Sequence, residues 1–224
     1  MVSTQPTASP APFALFLIIG IVGMIICMIL VGKRYEMPPV KVIIAAVYMT
    51  ITGVFATYLL AFLESGAWGG RSFFGAAFLV PVFMYPASKV LRLNYADLMD
   101  ICAPAGCIML SLLKIKCAID GCCYGRWVQF LGETFRFPSQ IVESIFALVL
   151  MIILLILIVR GNHRGTIYAW CLFLYGIMRS ILNLLRETTP WLGPLPQGNV
   201  WALLAIIIGA TIILRRKKKA GTAS

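Results

Sequence analysis

Seven long apolar runs dominate the chain and leave it few ways to fold. Each is close to the roughly 20 residues that a helix needs to cross the hydrocarbon core of a bilayer, and each is bounded by charged residues, Gly or Pro. The predicted spans are Pro12 to Val31, Val40 to Leu63, Ser72 to Val90, Ala96 to Ile119, Gln140 to Val159, Thr166 to Leu185 and Asn199 to Leu214. The sequence therefore predicts an all-α polytopic membrane bundle of seven transmembrane helices.

The composition excludes several other classes of protein. Hydrophobic residues make up 61% of the 224 residues and charged residues 12%, and the mean hydropathy is +0.94. The net charge of +11 comes from cations that flank apolar runs, so it indicates topology and anionic lipid, and no nucleic-acid partner is expected. Seven cysteines in mostly apolar surroundings do not form a secreted disulfide framework, and one histidine leaves little for a metal site. We therefore predict no metal and no cofactor.

The distribution of Lys and Arg predicts the orientation. If the loops alternate between two sides, twelve of these residues share one side and four lie opposite. The positive-inside rule then places the N-terminus outside and the C-terminus in the cytoplasm. We expect one transmembrane domain over residues 1–224, in which 1–11 form an extracytoplasmic segment and 215–224 a basic cytoplasmic tail. No Lys or Arg precedes the first run, which favours a retained span over a cleaved signal peptide.

Ionisable residues inside the spans are the first candidates for function, because a charge at bilayer depth costs a few kcal/mol unless it is paired or reaches water. Arg179, near the middle of the sixth span, is predicted to face a polar cavity, and Lys114 also lies deep. Lys116 is closer to the helix end, where snorkelling to the interface is favoured. Glu143 has two possible roles. It is either an acidic first-turn residue stabilised by the helix dipole or a functional residue.

Two smaller features have structural interpretations. Asp97 and Asp100, at the start of the fourth span, are expected to be first-turn charges. The vicinal pair Cys122 and Cys123 is better explained by a tight turn between Gly121 and Gly125 than by a metal site, since zinc spacing requires a second pair of ligands.

Four stretches occur in an order and spacing typical of one family. They are Gly70 to Gly75; Asp100 to Pro104 leading to Lys114 to Arg126; Arg136 to Glu143; and Gly165 through Tyr175 and Arg179 to Arg186. Together they resemble the prolipoprotein diacylglyceryl transferase family, bacterial membrane enzymes that lipidate lipoprotein precursors. The resemblance implies seven spans with the N-terminus outside, in agreement with the span count and the charges.

The resemblance also implies an activity. It is the transfer of diacylglyceryl from phosphatidylglycerol to the thiol of a lipobox cysteine, in the bacterial cytoplasmic membrane. The implied partners are phosphatidylglycerol, the prolipoprotein signal peptide and the lipid bilayer. Residues carried over as catalytic are Glu143 and Arg179. Those carried over as phospholipid-binding are Arg126, Lys114, Gln140, Arg186, Gly121 and Gly125.

The chain departs from the family pattern at several positions. Phe74 and Phe137 stand where the family has histidines, Asn183 where it has a glutamate, and Lys114 where it has an arginine. These changes leave an alternative open, a phospholipid-binding homologue that is inactive or acts on another acceptor. A small-solute transporter is disfavoured because the first, second and seventh spans are almost wholly apolar.

Overall fold

The seven apolar runs form seven helices. The computed structural model describes residues 11–68, 72–121, 125–130, 132–161, 163–186, 191–192 and 195–221. The helices are α1 (Ala11–Arg34), α2 (Pro39–Ser65), α3 (Phe73–Leu91), α4 (Tyr95–Ile119), α5 (Ser139–Arg160), α6 (Ile167–Leu184) and α7 (Gln197–Gly221). All seven are long and apolar enough to cross a membrane, so the predicted seven-span bundle is confirmed. The largest boundary difference is in α7, which continues through much of the predicted tail.

Some features of the sequence fall outside the described residues. They include most of the predicted N-terminal segment, residues 1–10, and the residues Gly70, Arg71, Cys122 and Cys123. The tight turn predicted between Gly121 and Gly125 and the extracytoplasmic N-terminal segment therefore stay predictions.

Helices α4 and α6 lie at the centre of the bundle. The most apolar stretch of α4 is 61% buried and that of α6 is 50% buried, against 22% to 33% for the other five helices. The outer helices expose large aliphatic side chains such as Leu30, Ile51 and Ile207, which suits a lipid-facing surface. The two central helices also carry most of the buried ionisable groups among the described residues, so a polar site is expected between them.

Two short antiparallel hairpins lie outside the helices. Strands β1 (Trp127–Phe130) and β2 (Glu133–Arg136) precede α5, and strands β3 (Trp191–Leu192) and β4 (Leu195–Pro196) precede α7. Neither hairpin was predicted from the sequence, and the first one adjoins a helix end. The base of the β1–β2 hairpin is fixed to the end of α6, because the backbone N–H of Arg126 donates to the carbonyl oxygen of Leu185 at 2.7 Å.

The bundle has two distinct ends. The site end carries the last residues of α2, α4 and α6 and the first of α3, α5 and α7. The basic end lies opposite and includes Arg34 and Arg160. At the basic end Asp97 binds Arg164 through two hydrogen bonds of 2.8 and 2.9 Å. Hydrogen bonds thus fix the two ends of α6, one to the base of the β1–β2 hairpin and the other to α4.

Asp100, also at the basic end, is more than a first-turn charge. It accepts the backbone N–H groups of Gly165 and Ile167 and the hydroxyl of Tyr35. Burial and the neighbouring Asp100 raise the pKa of Tyr35, which keeps its hydroxyl protonated and able to donate. Asp97 and Asp100 therefore hold the start of α6 against α4, beyond the dipole role expected from sequence.

Helices α2 and α3 lie in close contact at Gly75. A Cβ atom there would lie 2.1 Å from the carbonyl oxygen of Ala56, whereas one at Gly106 would have no neighbour nearer than 3.8 Å. Gly75→Ala is therefore expected to separate α2 from α3 and to destabilise the protein by about 1–3 kcal/mol. Gly106→Ala should change stability little. Thermal unfolding of both variants in detergent checks this, and equal melting temperatures would contradict it.

Candidate functional site

A buried carboxylate lies at the site end, where α4, α5 and α6 meet. Glu143, in the first turns of α5, is 2% exposed. Its Oε2 atom accepts from Lys114 Nζ of α4 at 2.9 Å and from Arg179 Nη1 of α6 at 3.1 Å. The hydroxyl of Tyr175 donates to Oε1 at 3.3 Å. Three helices thus place two cations and a phenol on one carboxylate, and we call these four residues the Glu143 cluster.

Helical geometry explains why these side chains meet. Tyr175 and Arg179 are four residues apart on α6, so they project from the same face of that helix. Lys114 lies near the end of α4 and Glu143 near the start of α5, and the two helices pack side by side and antiparallel. The cluster is therefore a product of the bundle, and no single segment contains it.

Electrostatics leave the cluster positive. Arg186, just beyond the end of α6, lies close enough to act on both Glu143 and Tyr175. Among the residues that the structure describes here, three cations then surround the Glu143 carboxylate. Because low dielectric strengthens such interactions, this surplus of positive charge favours an anionic ligand.

An aromatic side chain lies against Arg179, at the position where the resemblance implied a histidine. Phe74, the second residue of α3, is 3% exposed, and its ring centroid lies 5.8 Å from Arg179 Cζ. It also packs against Tyr175 at 5.7 Å between ring centroids. The contact between Phe74 and Arg179 is a cation–π interaction that holds the guanidinium in place. Unlike an imidazole, the phenyl ring accepts no proton.

Buried polar atoms next to the cluster have no hydrogen-bond partner among the described residues. They are both amide atoms of Asn183, Nε of Arg186 and Oδ1 of Asn199. Asn183 is 1% exposed and lies one turn beyond Arg179 on α6. Buried polar groups are nearly always satisfied in folded proteins, so several exceptions together indicate a place for a polar ligand.

An apolar cavity adjoins the cluster. It has a volume of about 280 Å³ and is lined by aliphatic, aromatic and sulfur-containing side chains from α1 to α6, such as Met49, Val80, Leu110 and Leu172. Tyr175 belongs to both regions, because its ring lines the cavity while its hydroxyl contacts Glu143. A molecule with an anionic head and an apolar tail matches this arrangement.

The structure brings together several of the residues predicted for the site. Glu143, Lys114 and Arg179 are in direct contact, and Arg186 lies close by. Gln140, in the first turn of α5, is 2% exposed on the buried side of that helix. Arg179 is 9% exposed and pairs with Glu143, while the cavity beside it is apolar, so the polar cavity predicted for Arg179 stays a prediction.

Three other predicted residues belong to the loop between α4 and α5. The side chain of Arg126 is exposed, and its backbone joins the hairpin to α6. Gly121 is exposed and has φ +67°, a conformation that favours glycine. Gly125 is packed so closely that a Cβ would lie 2.7 Å from Phe137 Cβ. The structure gives these three residues a role in shaping the loop, and their assignment to phospholipid binding stays a prediction.

The expectation for Lys116 is wrong. Its side chain is 6% exposed and forms an ion pair with Asp120 one turn further along α4. A buried lysine four residues before a carboxylate has a partner within the helix and does not need to reach the interface. Lys116 and Asp120 therefore neutralise each other beside the cluster.

Sequence reasoning missed the roles of Tyr175 and Asn199. Tyr175 was part of a matched stretch, but a tyrosine in an apolar helix most often anchors a membrane interface. Its spacing of four residues before Arg179 was the signal that could have placed it in the site. Asn199, 6% exposed near the start of α7, was visible only as a polar residue at a span boundary.

The fold and the Glu143 cluster define the protein as a multi-pass membrane protein with a buried, positively charged site beside an apolar cavity. The model of one family, described as prolipoprotein diacylglyceryl transferase, matches residues 10–215. The chain belongs to that family, and the resemblance seen in the sequence is confirmed.

Individual relatives agree with this result. A phosphatidylglycerol–prolipoprotein diacylglyceryl transferase of Geobacter sulfurreducens is 28% identical over 167 residues, which are 68% of this chain and 64% of the relative. The protein of that name from Rickettsia bellii is 31% identical over 163 residues, 66% of this chain and 62% of the relative. The one from Francisella tularensis subsp. novicida is 28% identical over 160 residues, covering 65% and 60%. The matches therefore span less than two thirds of the relatives' length.

Proposed function

We propose that this protein transfers diacylglyceryl from phosphatidylglycerol to the cysteine thiol of a lipoprotein precursor. The observation that carries the proposal is the Glu143 cluster, a buried and net cationic site joined through Tyr175 to an apolar cavity. Membership of the family supports the same conclusion. The relatives described above bear the name phosphatidylglycerol–prolipoprotein diacylglyceryl transferase.

The cluster suits a phosphodiester. A guanidinium carries five N–H donors and an ammonium three, so Arg179 and Lys114 can contact a phosphate oxygen as well as Glu143. Arg186 adds a third positive charge. Arginine offers a planar fork and lysine a point charge, which makes Arg179 the residue better suited to bidentate phosphate binding. In this proposal Glu143 holds the two cations in position and the phosphate binds on their far side.

The apolar cavity suits an acyl chain. Its lining comes from the inner faces of α1 to α6, so a chain bound there would leave the bulk lipid and lie beside the reacting head group. Burial of each CH₂ group stabilises such binding by about 0.8 kcal/mol when the group leaves water. The gain is smaller when the CH₂ group leaves lipid, so the cavity orients the acyl chain more than it strengthens binding.

The reaction needs a nucleophile, a leaving group and a proton acceptor. The sulfur of the precursor cysteine attacks the glycerol carbon that is bonded to the phosphate oxygen. A C–S bond forms and the C–O bond breaks, with its electron pair left on the phosphate oxygen, so that glycerol phosphate departs. Arg179 and Lys114 are positioned to stabilise the charge that develops on the leaving phosphate.

The site end would face the outer leaflet. Twelve Lys and Arg residues flank the basic end, which by the positive-inside rule belongs in the cytoplasm. With seven spans, the N-terminus then lies outside and the C-terminus inside. We infer that the protein resides in a bacterial plasma membrane, where phosphatidylglycerol and the signal peptides of lipoprotein precursors meet the site from the bilayer.

The proposal is tested with purified protein in phosphatidylglycerol vesicles and a synthetic peptide that carries a lipobox cysteine. The expected product is a peptide that has gained diacylglyceryl through a thioether, measured by mass spectrometry. The matched control is the same peptide with serine in place of cysteine, which should gain nothing. In a bacterium depleted of its own transferase, expression should restore lipidation of a reporter lipoprotein. No transfer by well-folded protein in either system would refute the activity.

A second candidate function is favoured by one contact. Phe74 fills the position of the family histidine and packs on Arg179, which suits a protein that binds phosphatidylglycerol without turning it over, or that uses another acceptor. This candidate predicts that phosphatidylglycerol raises the melting temperature while the lipobox peptide stays unmodified.

A further inference from the structure

A second pocket opens at the basic end of the bundle, where α1 and α5 finish. It has a volume of about 200 Å³ and is lined by Arg34, Tyr35, Ile158, Gly161 and Arg164. None of these five residues is a carboxylate, and a Cβ atom at Gly161 would meet no neighbour within 4 Å, so the space beside it is open. The Glu143 cluster lies at the other end of the bundle. A ligand can therefore bind in this pocket whether or not the protein is a transferase.

Neighbouring side chains hold the guanidinium of Arg164 in place. Its Nε and Nη2 atoms donate to the two carboxylate oxygens of Asp97 at 2.8 and 2.9 Å, and its Cζ atom lies 5.1 Å from the centroid of the Tyr35 ring. The Tyr35 ring is itself fixed, because it is 8% exposed and its hydroxyl donates to Asp100 at 3.1 Å. The Arg164 side chain is nevertheless 61% exposed. Its remaining N–H groups can therefore donate to a further acceptor.

Arg34 joins the end of α1 to the end of α5. Its Nη2 atom donates to the carbonyl oxygen of Val159 at 3.0 Å, and the side chain is otherwise exposed. This contact also removes an obstacle, since the free carbonyl groups at a helix C-terminus repel an anion. The backbone N–H of Gly161 covers the carbonyl oxygen of Ile158 in the same way, at 3.1 Å. The end of α5 therefore presents fewer negative dipoles to the pocket.

The charge around the pocket is positive. Asp97 balances Arg164, whereas Arg34 has no carboxylate partner among the residues that the structure describes. The guanidinium of Arg216, from α7, lies against Gly165 in the loop that follows α5, where a Cβ atom would be 2.8 Å from it. Glu36 is nearby but exposed, so water screens its charge. An anion in the pocket would therefore meet two arginines and a surplus of positive charge.

We propose that this pocket binds the phosphate group of an anionic ligand. Two guanidinium groups that are already held in place lose little side-chain entropy on binding, and each offers a planar fork that matches phosphate oxygens. The phosphate belongs either to a phospholipid head group or to a soluble phosphate compound, because both present the same oxygens. Leu30, one turn before Arg34, and Ile156, one turn before Arg160, are exposed. A lipid with its phosphate in the pocket would therefore find apolar surface for its chains.

The test compares Arg34→Gln with Arg215→Gln, which removes the same charge from an exposed position of α7 at the same end. Binding of phosphatidylglycerol to the purified full chain is titrated by native mass spectrometry. Arg34→Gln should weaken the binding of one lipid about tenfold, the scale of one hydrogen bond to a charged group, and Arg215→Gln should match the wild type. The effect should be the same in an Arg179→Ala background, because the two sites lie at opposite ends. Equal binding by Arg34→Gln and the wild type, or an equal loss in Arg215→Gln, would overturn the assignment.

Hydrogen exchange of the wild-type protein gives a second measurement, which needs no variant. The backbone amides of Gly165 and Ile167 donate to Asp100, in the loop that carries Arg164. A phosphate bound to Arg164 restrains this loop, so phosphatidylglycerol should slow exchange at these two amides severalfold. Zwitterionic phosphatidylcholine is the control and should not slow it. Equal slowing by both lipids, or none by phosphatidylglycerol, would contradict a phosphate site.

Competition identifies the source of the phosphate. Inorganic phosphate and glycerol phosphate are added to the wild-type protein in the presence of phosphatidylglycerol. If they displace the lipid whose binding depends on Arg34, the ligand is a soluble phosphate compound that enters from water. If the lipid stays bound, the ligand is the phospholipid head group. Both results support the site, whereas a pocket that binds none of these three probes refutes it.

Discussion

Arg179→Ala should lower the rate of diacylglyceryl transfer about 10³-fold, the upper end of the loss seen when one preorganised charge donor is removed from an active site. Arg179 contacts Glu143, lies under the Phe74 ring and is 9% exposed, so few other groups can take its place. Lys114 would remain, but it supplies a point charge in place of a planar fork. The expected loss is mainly in kcat, since the charge on the leaving phosphate is greatest in the transition state. Initial rates with purified variants in phosphatidylglycerol vesicles measure it.

Arg160→Ala is the matched control for this experiment. Arg160 is the last residue of α5, is exposed, and lies at the basic end of the bundle. Its replacement removes the same charge from the same protein and should change the rate less than twofold. If Arg179→Ala folded normally and retained transfer within tenfold of the wild type, the phosphate could not bind at the cluster as proposed.

The lengths and flanks of the apolar runs were enough to predict the helices. A run of about 20 apolar residues has one stable solution in a bilayer, since every backbone polar group must be satisfied within the segment. The seven spans therefore followed from local sequence, and the ends of six of them moved by a few residues, while α7 continues further into the predicted tail. The hairpin of β1 and β2 could not be found in this way, because its residues alternate weakly and it is held by contacts with the distant end of α6.

The site was predictable in part for a different reason. Charges within apolar helices are costly, so Lys114, Glu143 and Arg179 stood out individually, and their mutual contact follows from the need of each for a partner. Residues whose side chains cost little free energy to place in a membrane gave no such signal. Phe74 and Tyr175 are ordinary in an apolar helix, and their contacts with Arg179 and Glu143 depend on how the helices pack.

Glu143→Gln should destabilise the protein by about 3–5 kcal/mol, because it leaves Lys114 and Arg179 as buried cations without a counter-charge. In this role Glu143 is a counter-ion, and its loss can be offset by another anion at the same place. Phosphatidylglycerol should therefore raise the melting temperature of Glu143→Gln more than that of the wild type, whereas zwitterionic phosphatidylcholine should not. Thermal unfolding in mixed micelles containing each lipid measures both effects, and Glu133→Gln serves as the control.

The same variant distinguishes two roles for Glu143. A base cannot be replaced by a bound phosphate, so if Glu143 were the proton acceptor, Glu143→Gln would stay inactive at low pH however much phosphatidylglycerol were added. A counter-ion predicts the reverse, because the substrate itself supplies the missing charge and activity recovers as the protein is stabilised. The phosphate would then lie closer to Lys114 and Arg179 than in the wild type, with tighter binding of phosphatidylglycerol and a slower release of glycerol phosphate. Rescue of stability by phosphatidylcholine to the same extent would show that apolar contact, and not the charge of the head group, compensates for the lost carboxylate.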